Sequence, residues 1–117
     1  MPEEYTSLVT ALKALTQENV TLPMAEDEWY TRPDTESYGI VHGNMEANQI
    51  NADDVKADCS HEGSVHLFSR SRSGAGWVQL ITGTLTTYCE ARWSLNSHVY
   101  ERSTGLFHWE WTFEVSG

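Results

Sequence analysis

The chain has 117 residues and a formal net charge of −10, with 39% hydrophobic and 21% charged residues. That is one domain's length, with a composition neither disordered nor membrane-embedded. Seven basic side chains against 17 acidic ones argue against a nucleic-acid grip, which needs Lys and Arg on phosphates, and against docking on anionic lipid.

Acidity by itself fits simple solubility, a basic partner, DNA mimicry, or a channel through which DNA slides. The start, Met1-Pro2-Glu3-Glu4, has neither a basic nor an apolar segment, so no signal peptide is expected. No apolar run approaches the ~20 residues that span a bilayer. For a chain made in the cytoplasm, Cys59 and Cys89 are expected as free thiols.

Tyr5, Leu8, Val9, Leu12 and Leu15 recur at spacings of three and four, which predicts a helix from about Glu3 to Glu18. Pro2, Glu3 and Glu4 suit its N-terminus. Residues 21–36 hold Pro23, Pro33 and the carboxylates Glu26, Asp27, Glu28, Asp34 and Glu36, with Glu18 just upstream. The prolines discourage a regular element, so this stretch reads as an acidic loop anchored by Trp29 and Tyr30. Tyr38, Ile40 and His42 alternate with Gly39 and Val41, predicting a strand over Ser37–His42. Residues 44–63 are polar, with room for a weak strand but nothing strongly periodic, and read as a long irregular connection of the functional or mobile kind.

A second strand is predicted over Ser64–Ser69. Trp77, Leu80, Ile81, Thr84, Leu85 and Tyr88 then form a helical stripe, with Ser73 as its N-cap. Trp93, Leu95, Ser97, Val99 and Glu101 are expected on one face of a strand, with His98 and Tyr100 on the other. Ser103-Thr104-Gly105 turns the chain into Phe107, Trp109, Trp111, Phe113 and Val115, which alternate with polar residues. The expectation is an α+β fold in the order α-β-β-α-β-β, a single mainly antiparallel sheet packed by two helices.

A search for chemistry finds little. His42, His61, His66, His98 and His108 show no helical i, i+4 pair, and His66 and His108 read as surface or rim histidines. Asp53, Asp54, Asp58, Cys59, His61 and Glu62 hold oxygens that suit a divalent ion but fail the EF-hand pattern, so no metal is assigned. Ser64 with His66 is not a nucleophile elbow, and Cys59 with His61 is not an argued dyad. Ser73-Gly74-Ala75-Gly76 lacks the Lys and spacing of a phosphate loop. No catalytic residue and no cofactor is expected.

The C-terminal half nevertheless carries a pattern. Ser64-Val65-His66-Leu67-Phe68 leads into a helix, Val99-Tyr100-Glu101 follows, and the chain closes on Leu106-Phe107-His108-Trp109-Glu110-Trp111-Thr112-Phe113-Glu114-Val115. Together with the opening helix from Glu4-Tyr5, this resembles the tail terminator, or head–tail joining, proteins of long-tailed phages. The resemblance implies a virion protein that forms a ring, typically of six copies, on the last ring of tail-tube protein. Such a ring stops tube growth and meets the head connector, and DNA passes through its lumen without specific binding. Asp53, Asp54, Asp58 and Glu62, with Trp29 and Tyr30, are then the expected lumen-facing or partner-facing residues. The alternatives are a small acidic DNA-mimic inhibitor and a small α+β enzyme with a pocket under its sheet.

Overall fold

The computed structural model describes residues 3–29, 31, 33–44 and 60–116. From the N-terminus the elements are helix α1 (Glu3–Lys13) and strands β1 (Thr16–Gln17), β2 (Val20–Thr21), β3 (Met24–Glu26), β4 (Ser37–Asn44) and β5 (Ser60–Ser69). A 3-10 turn (Gly74–Gly76) then leads into helix α2 (Trp77–Cys89) and strands β6 (Trp93–Glu101) and β7 (Leu106–Ser116). The fold is α+β. Its main sheet runs β3-β4-β5-β7-β6, while β1 and β2 form a separate hairpin.

The alternation in the last strand decides the layering. Trp109, Trp111, Phe113 and Val115 are buried on one face of β7, where they meet Val65 and Leu67 of β5 and Val41 of β4. Both helices lie on that face. Tyr5, Leu8, Val9 and Leu12 of α1 and Trp77, Ile81, Leu85 and Cys89 of α2 complete one core. Among the described residues the opposite face carries no helix.

The room under α1 comes from two glycines. Gly43 and Gly63 are cross-strand partners in β4 and β5. A Cβ on Gly63 would collide with the His42 carbonyl and the Phe113 ring, and one on Gly43 with His61 and Tyr5. Their absent side chains let Tyr5 stack on the His61 ring at 4.0 Å between centroids.

Several expectations need correction. The first helix ends at Lys13, because Glu18 and Asn19 both take positive φ (50° and 67°) and turn β1 back onto β2. Two successive left-handed residues make the tight turn favoured in hairpins. Leu15 still packs against the core, so the helical stripe extends past the helix itself. Within the expected acidic loop, Met24–Glu26 is a strand parallel to β4. Pro23 is tolerated just ahead of it because an edge strand needs no donor on its open side; its carbonyl accepts from Gly39 N–H at 2.8 Å. The sheet is therefore mixed, and three short strands precede the four long ones.

Asn44 and Ser60–Gly63 are strand residues, not part of an irregular connection; residues 45–59 lie outside the described part. Ser73 caps the 3-10 turn, its Oγ accepting from Ala75 N–H at 3.3 Å, and α2 proper starts at Trp77. The expected face assignment in β6 fails because the register shifts between Leu95 and Ser97. The extra residue turns Trp93, Leu95, His98 and Tyr100 to the helix side, and Ser97, Val99 and Glu101 to the open side.

Trp111 is fully buried at the centre of this core. Trp111→Ala is expected to cost about 3–5 kcal/mol in urea unfolding. His61 is also fully buried, and neither ring nitrogen has a partner among the described residues. Burial holds its pKa below the ordinary 6.5. The unfolded chain therefore binds the proton first. This contribution is fully present above the unfolded value and is lost as pH falls through it toward the folded one. His61→Leu removes the buried nitrogens, and its urea midpoint is expected to fall less than that of the parent between pH 7 and pH 5.

Candidate functional site

The helix-free face of the sheet is the candidate site. Side chains alternate along a strand, so the residues between the core positions gather here. They are Tyr38, Ile40 and His42 of β4, Ser64, His66 and Phe68 of β5, and His108, Glu110, Thr112 and Glu114 of β7.

At one end of this face the residues are aromatic. Phe68 stacks on His108 at 4.3 Å and on Tyr38 at 5.1 Å between centroids. Trp29 stands edge-on to Tyr38 and donates its Nε1–H to the Gly39 carbonyl at 3.1 Å. Trp29 thus pins the connection between β3 and β4 onto the sheet, and Tyr38 is buried beneath it.

A chain of hydrogen bonds crosses the middle. His108 Nδ1 lies 2.9 Å from Glu101 Oε2, and His108 Nε2 lies 2.9 Å from His66 Nδ1. His66 Nε2 lies 3.4 Å from Ser64 Oγ. A carboxylate only accepts, which fixes the direction of the neutral chain. His108 donates from Nδ1 to Glu101, His66 donates from Nδ1 to His108, and Ser64 donates to His66. Burial lowers the His66 pKa, as do His108 and His42 beside it, while Glu110 acts in the opposite sense. His42 shares its own Nδ1 with Asp27 at 3.3 Å.

This chain orders side chains and shares protons. It is poorly placed for acyl transfer. Ser64 sits mid-strand between His42 and Thr112, with its backbone in two ladders, so it offers no free N–H pair to a developing oxyanion. Among the described residues no three His, Cys, Asp or Glu side chains converge to hold a metal ion. Cys89 is buried and its thiol is pushed up to about 11, which keeps it from thiolate chemistry.

The other end of the face opens into a groove of about 620 Å³ lined by His42, Glu62, Ser64, Arg92, Glu110 and Glu114, among others. Glu62 and Glu114 are direct cross-strand partners. Two like charges placed opposite each other cost stability, so this end of the sheet holds its negative charge against the fold's preference.

Of the residues singled out in the sequence, Glu62 lies in this groove and Trp29 on the aromatic end of the same face. Tyr30, Asp53, Asp54 and Asp58 lie outside the described residues, as does Cys59. The sequence missed the link between His66 and His108. Its only trace was that each falls on the polar side of an alternating strand; that the strands are adjacent is a fact of topology. No protein-family model matches the chain, and no curated protein matches it.

Replacing His108 removes a neighbour that disfavours protonation of His66. His108→Gln is expected to move the His66 pKa upward in an NMR titration, with the sheet intact.

Proposed function

We propose that the chain is a structural subunit that assembles with its own copies into a ring of the tail terminator kind, capping a tail tube and joining it to a head connector. The observation that carries this reading is the sheet's long free edge. Among the described residues β6 ends the sheet, spans nine residues, and leaves Leu95, Val99 and Tyr100 45–54% exposed. An unpaired edge with large apolar side chains is a surface that folded chains keep for association. The sequence pattern that resembles the terminator family falls on β5, α2, β6 and β7, the elements that build this edge and its support.

The acidic groove suits the same reading. Glu62, Glu110 and Glu114 give the helix-free face the sign of DNA phosphate, and a like-charged lumen lets DNA slide without sticking. Catalysis has no part in the proposal, and the partners are copies of the chain, tail-tube protein, head connector and passing DNA.

The test is light scattering and negative-stain imaging of concentrated protein, alone and with tail tubes. Closed rings of one copy number and capped tube ends are expected. If no ring forms and tube ends stay bare, the reading fails.

A further inference from the structure

Four polar side chains on the helix-free face form an unbroken row from β6 to the groove. Glu101 Oε1 lies 3.3 Å from Thr104 Oγ1, and its Oε2 lies 2.9 Å from His108 Nδ1. His108 Nε2 meets His66 Nδ1 at 2.9 Å, and His66 Nε2 meets Ser64 Oγ at 3.4 Å. Ser64 lines the groove. Phe68 braces the rings, stacked on His108 at 4.3 Å and lying within 14° of parallel to His66. In the neutral row every hydrogen points toward Glu101, which leaves Nε2 bare on both His66 and His108.

We propose that this row is a one-proton relay, loaded at the groove end and holding its charge against Glu101. A proton arriving at His66 Nε2 turns the Ser64 hydroxyl from donor to acceptor. The hydrogen between the rings then moves from His66 Nδ1 to His108 Nε2, across their 2.9 Å bond. One proton has entered and none has left. His66 is neutral again, now with its hydrogen on Nε2, and His108 is the imidazolium. All three bonds survive, two of them reversed, and the Ser64 hydroxyl hydrogen is freed toward the groove. The charge rests on His108 because a carboxylate is its direct partner. His66 is the poorer host. It is half-buried, and His42 of β4, itself tied to Asp27 at 3.3 Å, stands edge-on to it at 5.8 Å. Glu110, opposite His66 on β7, favours charge there but does not outweigh burial and the two histidines, and the His66 pKa stays below its ordinary value. Further along lie Tyr38, stacked on Phe68, and Glu62, Glu114 and Arg92 in the groove. A second proton finds no place in the row. It sets two donors face to face between the rings, so the pair must part, and the two steps are separate. The relay belongs to a single chain and does not depend on ring assembly.

Long-range proton–nitrogen NMR of the full chain, labelled with nitrogen-15 histidine and titrated downward from about pH 8, tests this. It tells a bare ring nitrogen from a protonated one. Before the first step both His66 and His108 are expected in the Nδ1–H form. Through that step His108 is expected to become doubly protonated, while His66 stays neutral and changes to the Nε2–H form at the same midpoint. A tautomer change in a ring that gains no charge is a signature that a purely structural hydrogen bond does not give. The proposal is overturned if His66 keeps its Nδ1–H form until it charges, if His66 carries the first charge, or if both rings charge in one step. Glu101→Gln keeps an acceptor oxygen but removes the negative charge. Proton uptake in its first step is expected to be about threefold weaker; an unchanged midpoint overturns the proposal as well. The parent titration needs no substitution and stands even if this variant does not fold.

Discussion

The structure depends on burying one face of β7. This strand is bonded on both sides, to β5 and to β6, and its Trp109, Trp111, Phe113 and Val115 present a continuous apolar surface to both helices. Each large aromatic removes a large area from water, so a short chain builds its core from few positions. The helices have moderate intrinsic preference. In α2, Thr84, Thr86 and Thr87 return their hydroxyls to carbonyls one turn earlier, and Gly83 adds no side chain. Packing on β7 therefore holds α2 in place, more than its own propensity does.

Among the described residues both helices lie on one side, and the other face is held together by its own side chains. They do so with flat rings and hydrogen bonds. Trp29, Tyr38, Phe68 and His108 cover one end, and Glu101, His108, His66 and Ser64 are tied in sequence across the middle. The third region, where Glu62 faces Glu114, has no such closure and stays open. The face thus grades from ordered and aromatic to open and acidic. Among the described residues β3 and β6 are the outer strands of a sheet that does not close on itself.

Much of this was legible in the chain. The stripes in α1 and α2 and the alternation in β7 identified the core side chains, because period 3.6 and period 2 are direct records of which face is buried. The failures have particular causes. Glu18-Asn19 makes a left-handed turn without the glycine that would advertise it. β3 is three residues long and exists only because β4 lies parallel beside it. Ser60–Gly63 is polar and aperiodic, yet it is strand because β4 and β7 pair with it on its two sides. One extra residue in β6 exchanged the faces of everything after Leu95.

The sequence by itself determined the class of the fold, the four long strands between and after two helices, the core residues and the strongly negative charge. These follow from local periodicity and composition, which need no knowledge of neighbours. Only the tertiary structure decided that His66 and His108 share a hydrogen bond and that Glu62 and Glu114 confront each other. Strand order is set by long-range pairing and by the fit of helices on one face. Residues forty or fifty positions apart become neighbours through that order, and no local pattern encodes it.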